Sequence, residues 1–207
     1  MRAYMRDQFE YFGITSPIRK AAQSEVIAEY GYPDDLLAQC EFLWTQKQRE
    51  CQYVACDMLT SVAKSKKYSH LFEPVSKNID RVEQLIITKS WWDTVDCLAP
   101  RIAWSMLTRT GPTALRKRAE KWIASDNIWL QRSAIILQLH AKQQTDVDLL
   151  TEVILHRASS TEFFVRKGAG WALREYSKVD PKAVRRFIDK HSNVLSGLTI
   201  REGSKYC

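Results

Sequence analysis

The chain has 207 residues, 45% of them apolar, enough for one large domain or two small ones with an ample core. Seven Gly and six Pro are few for a turn-rich all-β fold, and no signal peptide, lipidation motif or long apolar run is found, so a cytoplasmic protein without membrane association is expected. Lys and Arg number 31 against 24 Asp and Glu; the net charge of +7 permits a polyanion partner without demanding one.

Apolar residues recur at helical spacing almost throughout, and strand-like alternation is lacking. The predicted helices, in chain order, lie near 2–12, 17–30, 34–45, 48–64, 68–77, 80–87, 91–108, 113–123, 127–142, 147–157, 161–177 and 181–190, with a tail from 196. Ser16-Pro17 reads as an N-cap and first-turn proline after Gly13; Pro33-Asp34-Asp35, Gly111-Pro112-Thr113 and Asp180-Pro181 open further helices. The short connections fit antiparallel neighbours. Cys40, Cys51, Cys56, Cys97 and Cys207 form no CxxC pair and have no His nearby to complete a zinc pattern, so buried reduced thiols and no metal site are expected.

A weak repeat runs through these helices. RECQYVACDML (49–59), LQRSAIILQL (130–139) and VRKGAGWAL (165–173) each place a polar or basic pair before small and apolar residues. Arg132 and Lys167 are 35 residues apart, and Gln52 and Gln131 are 79 apart, about two such periods. That spacing predicts an all-α fold, an α-solenoid of stacked antiparallel helix pairs of the HEAT-like or armadillo type. An irregular helical bundle is the alternative. Such a stack offers a concave face which, with net positive charge, could bind DNA.

Seven tryptophans are heavy usage. Trp44, Trp104, Trp122 and Trp129 sit on apolar stripes and are expected in the core. In SWWDTVDCLA (90–99), Trp91, Val95 and Leu98 fall at i, i+4 and i+7 and form the expected buried stripe. Trp92 and Asp96 lie one turn apart on an adjacent flank, where an indole beside a carboxylate builds a poor core but a sensible site for a cation. In FFVRKGAGWALREY (163–176), Gly168 and Gly170 each cost a helix about 1 kcal/mol relative to Ala. Tight helix packing explains these glycines; it does not explain Lys167 and Arg174 flanking Trp171. Arg132 reads as a solvated edge residue or as a phosphate clamp.

TKSWWDTVD (88–96), KWIASDNIWLQRSAI (121–135), EFFVRKGAGWALREY (162–176) and LTIREGSK (198–205) resemble the DNA alkylation repair family of HEAT-like-repeat DNA glycosylases, in its AlkD-like branch. YMRDQFEYFGITSPIRK (4–20) and WTQKQRECQYVACDML (44–59) extend the resemblance over essentially the whole chain. It implies one HEAT-like repeat domain over residues 1–207, acting on double-stranded DNA with alkylated bases. It also implies excision of positively charged N3- and N7-alkylated purines, with Asp96 as the catalytic carboxylate and Trp92 and Trp171 as the cleft tryptophans. By the same resemblance Arg132 grips the backbone near the lesion and Tyr4 begins the first cleft helix. The segment carrying Ser16, Arg19 and Lys20 resembles a phosphate-holding helix start, and Lys89, Lys167 and Arg174 complete the DNA-binding set. No cofactor is expected, and a monomer is.

The implied chemistry needs few groups. A purine alkylated at N3 or N7 is already a cationic leaving group, so no general acid is required. The carboxylate stabilises the oxocarbenium-like sugar and positions water. The family resembles an exception to base flipping, and no motif here suggests a base pocket. Two other classes stay open: a non-catalytic DNA-binding relative that recognises unusual DNA structure, and a HEAT-type protein-interaction scaffold. The chain begins three residues before Tyr4, where an additional helix is usual in the family, and this keeps the former open.

Overall fold

A computed structural model describes residues 2–207. Two compact units can be distinguished, one ending at Leu85 and the other running Ile86–Cys207.

The first unit contains α1 (Ser16–Tyr30), α2 (Leu36–Thr45) and α3 (Arg49–Lys64); α4 (Val75–Ile87) straddles the boundary. Thr15, one residue earlier than expected, is the N-cap of α1, and Pro17 lies in the first turn, where its missing N–H costs no helical bond. Asp35 caps α2 by accepting the Ala38 N–H at 2.9 Å. Leu36, Leu37, Cys40 and Trp44 on α2, with Ala55, Leu59 and Val62 on α3, are buried where the two helices pack.

The helix expected over 2–12 does not form. Ala3–Met5 makes a 3-10 turn, Arg6 and Asp7 then take left-handed φ values of 53° and 55°, and the chain runs extended. Glu10 pairs with Gln48 in a parallel bridge, and the buried Glu50 carboxylate accepts the Phe12 and Gly13 N–H groups at 3.1 and 3.0 Å. The Arg49 guanidinium, itself fully buried, lies 3.8 Å from the Phe9 ring centroid. Tertiary bonds to the start of α3 therefore replace the helical ones. The boundary drawn between 77 and 80 also moves: Ser69–Phe72 is a 3-10 turn, and α4 starts just after Pro74, whose carbonyl accepts the Lys77 and Asn78 N–H groups.

The second unit holds α5 (Trp92–Cys97), a π-helical turn (Leu98–Ala103), α6 (Trp104–Thr110), α7 (Pro112–Ala124), α8 (Ile128–Ile136), α9 (Val147–His156), α10 (Phe163–Ser177), α11 (Pro181–Lys190) and α12 (Gly197–Gly203). The expected single helix over 91–108 is thus interrupted. Pro100 lacks an N–H and its ring crowds the preceding turn, and the wider π turn accommodates it. The expected tail from 196 is α12, capped by Ser196, whose Oγ accepts the Thr199 N–H at 3.0 Å.

The described elements are all helical, and their packing is consistent with an α-solenoid. Within the second unit α7 packs on α8 and α9, while α8 packs on α10 and α10 on α12. The repeat seen in the sequence has a physical basis. Gln52, Gln131 and Arg166 are each the fourth residue of the second helix in a pair. Gln52 Nε2 donates to the Gln46 carbonyl at 3.0 Å, Gln131 Nε2 to that of Ser125 at 2.8 Å, and Arg166 Nε to that of Ser160. Each donor reaches a carbonyl six residues back in the connection it follows.

Trp44 and Trp122 are core residues at 3% and 0% exposure. Trp104 and Trp129, also expected there, are half-buried. Cys40 and Cys56 are buried, Cys51 and Cys97 half-buried and Cys207 exposed, so the expectation of buried thiols holds for two of the five. Among the described residues no helix is long and apolar enough to cross a membrane.

Candidate active site

Short-range bonds shape the start of α5. Trp91 is its extended N-cap, with φ −157°, and its carbonyl accepts the Thr94 hydroxyl at 3.2 Å. Asp93 Oδ1 accepts the Thr94 N–H at 2.9 Å. Val95 and Leu98 are fully buried, which fixes the rotation of the helix and leaves Trp92 and Asp96 half-buried, one turn apart on the adjacent flank.

Trp91 departs from the expected stripe. It is half-buried and turns instead to Trp129 and Phe164, with ring centroids 5.7 and 5.2 Å away. Trp129 and Phe164 are themselves 5.0 Å apart, so three aromatics form one cluster. Being outside the helix, Trp91 does not obey the helical spacing used to place it.

Asp96 meets Arg132 of α8. Arg132 Nε donates to Asp96 Oδ1 and Nη2 to Oδ2, both at 2.8 Å, and Nη1 donates to the Phe164 carbonyl at 2.7 Å. The side chains are 4% and 15% exposed. Arg132, expected to grip DNA, has a buried guanidinium that is bonded on both flanks and points at the carboxylate. Its sequence neighbours explain the burial, since Leu130, Gln131, Ser133, Ala134, Ile135 and Ile136 are all buried too. Burial pushes the Asp96 carboxyl above the ordinary Asp value, and the hydrogen bonds and charge of Arg132 oppose that rise.

Gly168 makes room for this fork. A Cβ there would lie 3.1 Å from Arg132 Nη1 and 3.6 Å from its Cγ. Three residues further along α10, the Trp171 ring lies 5.9 Å from the Arg132 guanidinium carbon. Asp96, Arg132 and Trp171 therefore converge from three helices.

Lys167 and Arg174, expected to contact DNA, flank Trp171 and are both ion-paired to Glu202 of α12, at 2.9 and 2.6 Å; Lys205 Nζ joins them at 3.0 Å. Lys167 and Lys205 hold the Glu202 carboxyl down at about 2. Glu202 and Lys205 lie in LTIREGSK, where the sequence predicts a tail and the structure has α12 and the turn after it. Lys89 is half-buried with φ 49°, in the turn leading to α5.

The remaining expected contacts belong to the first unit. Tyr4 is 70% exposed and Ser16 is exposed at the start of α1. The Arg19 side chain is 10% exposed, its Nη1 lies 2.7 Å from Asp57, and its guanidinium lies over the Tyr53 ring. Lys20 is 60% exposed, 3.9 Å from the same aspartate.

The family model described as DNA alkylation repair enzyme matches residues 1–207. The chain belongs to the DNA alkylation repair enzyme family. A solved structure described as a predicted DNA alkylation repair enzyme from Enterococcus faecalis is similar to it, with 33% identity and a TM-score of 0.82, covering 100% of this chain and 92% of the other. No curated protein matches. For this member of the DNA alkylation repair family, DNA is the substrate class.

Proposed function

We propose that this DNA alkylation repair enzyme is a glycosylase that removes positively charged N3- and N7-alkylated purines from duplex DNA in base excision repair, without rotating the base out of the helix. The observation that carries the reading is Asp96, a largely buried carboxylate held on both oxygens by Arg132, with the Trp171 ring beside the guanidinium. Each carboxylate oxygen accepts one bond from the fork and keeps a second lone pair.

In the proposed reaction the C1′–N9 bond breaks and its electron pair moves onto the alkylated ring, which leaves neutral. The positive charge passes to the sugar as an oxocarbenium ion. Asp96 stabilises that charge, and the faces of Trp92 and Trp171 add cation–π attraction. Water then bonds to C1′, its proton passes to the carboxylate and on to solvent, and an abasic site remains. Arg132 is a positioning residue: its two bonds orient the carboxylate and favour its ionised form. A site that stabilises the sugar does not have to enclose the base. The cavity of about 230 Å³ lined by Gln138, His140, Glu175 and Tyr176 does not include Asp96, Trp92 or Trp171.

The test is incubation with methylated duplex DNA and chromatography of the released bases. Free N7-methylguanine and N3-methyladenine are expected. DNA bound without release of either base would overturn the proposal.

A further inference from the structure

The first helix carries an apolar row that its own unit leaves uncovered. Of the 15 residues of α1, only Arg19, Gln23 and Ile27 are half-buried, and the rest are exposed. Those three recur at every fourth position, so α1 rests on α3 along one narrow stripe. A second row with the same interval, Ile18, Ala22, Val26 and Tyr30, runs beside it, and Ile14 continues it into the segment before the helix. Ile18, Val26 and Tyr30 are 64%, 56% and 75% exposed, and Phe12, Ile14 and Phe42 of α2 are exposed with them. Val26 and Tyr30 also border a groove of about 380 Å³, whose other walls include Ile27, Leu43, Val54 and Met58.

The size of this surface suits a protein partner. Large apolar side chains carry on the order of 150–200 Å² each, so these six, about half to three-quarters exposed, offer roughly 600 Å². Monomers rarely leave more than a few hundred Å² of contiguous apolar surface in water. The smallest specific interfaces bury about 600 Å² on each side.

The row is also complementary to itself. Read from Ile14 to Tyr30, it places two large residues on each side of Ala22. A two-fold axis at Ala22 sets Ile18 against Val26 of a second copy and Ile14 against Tyr30, and each contact then occurs twice. Alanine at the crossing lets the two helices approach closely, ridge into groove. Charge fixes the direction. The first half of α1 carries Arg19 and Lys20 and the second half Glu25 and Glu29. Antiparallel pairing lays the basic half along the acidic half and opposes the two helix dipoles, whereas parallel pairing sets like charges side by side.

We propose that α1 is the interface of a homodimer, in which Ile14 and Ile18 of one copy enter the groove beside Val26 and Tyr30 of the other. The pairing does not depend on the excision reaction, and its test reads none.

That test is sedimentation equilibrium of the full chain over a micromolar concentration series. Wild type is expected at twice the mass of one chain. Ile18→Lys and Val26→Glu should each weaken association by at least about tenfold, since each sets an unpaired charge in an apolar contact. Mixed in equal amounts, the two variants should associate again, because the axis sets position 18 of one against position 26 of the other. Val194→Glu, at an exposed apolar residue of the second unit, should associate as wild type does. Melting temperatures should stay near the wild-type value, and if one falls the mixture still decides, because a misfolded chain cannot restore association. Wild type at the mass of one chain throughout the series would bear out the expected monomer and overturn the proposal. Undiminished association of Ile18→Lys, an equal loss in Val194→Glu, or a mixture that stays monomeric would each overturn it too.

Discussion

Arg132 and Asp96 meet as fork and carboxylate, Nε to Oδ1 and Nη2 to Oδ2, with the Phe164 carbonyl holding the third nitrogen. The pair joins α5 to α8, and Nη1 ties both to the start of α10. A residue expected to touch DNA is thus turned inward, onto the carboxylate.

Replacing Arg132 should therefore change pH dependence more than DNA affinity. In the proposed reaction Asp96 acts in its ionised form, and burial already raises its carboxyl above the ordinary value of about 3.9. Without the guanidinium nothing in the pair opposes that rise, so less carboxylate is present at any given pH. In Arg132→Gln the acid limb of the excision profile is expected to move to higher pH, while the salt slope of DNA binding stays put. An unmoved limb with a reduced slope would restore Arg132 as a phosphate contact.

Asp96→Asn is expected to lower excision by ~10²–10³, the scale for removing one preorganised electrostatic group. DNA binding should persist. The melting temperature should fall as well, because leaving one partner of a buried ion pair costs about 3–5 kcal/mol. Asp93→Asn keeps the acceptor for the Thr94 N–H and should excise at close to the wild-type rate. Single-turnover kinetics on both variants separate the two aspartates.

The two glycines of α10 should respond differently to alanine. At Gly168 the added methyl meets the end of a side chain, at 3.1 Å, and pushes the fork by a few tenths of an ångström. Excision should drop severalfold with little change in melting temperature, since alanine also favours the helix by about 1 kcal/mol. At Gly170 the methyl meets Glu202 Cβ at 2.5 Å and the Thr199 carbonyl at 3.0 Å, so α12 must move and the melting temperature should fall. Thermal melts beside rate measurements decide both; equal melting losses would remove the distinction.

Substrate choice should follow charge. The proposed site contains a carboxylate and two indoles, with no acid assigned to protonate a leaving base. Cationic N7-methylguanine and N3-methyladenine should be excised, and uncharged hypoxanthine and 1,N6-ethenoadenine should not. A bulky cationic N7 adduct should also be accepted, since nothing must enclose it. Efficient release of hypoxanthine, in a competition assay against N7-methylguanine, would require an acid and a different mechanism.

Helical periodicity made most of the fold legible, because the buried stripes of α2, α3, α7 and α9 are set by spacing alone. It failed where long-range bonds replaced local ones, as in 6–13, whose partners Gln48, Arg49 and Glu50 lie far along the chain. It also failed at Trp91, which lies outside the helix whose spacing was used to place it. At the site, the one-turn step from Trp92 to Asp96 was readable in ten residues. The partner of Arg132 was not, because a guanidinium suits a phosphate and a carboxylate equally until the fold brings one of them within 2.8 Å.

The side chains of Gln52, Gln131 and Arg166 behave as rulers. Each reaches from the fourth residue of a helix back to a carbonyl of the connection before it, and Gln52 Nε2 bonds the Leu43 and Trp44 carbonyls of α2 as well. One extra residue at 126–127 would carry the Ser125 carbonyl away from the buried Gln131 amide and leave that N–H unbonded, at about 1–3 kcal/mol. The connection at 191–196 is not spanned in this way, because Ile200 is the fourth residue of α12 and offers no side-chain donor. Insertions, tags or grafted loops should therefore be tolerated at 191–196 and rejected at 126–127, so the stack can be lengthened by whole helix pairs more readily than by single residues.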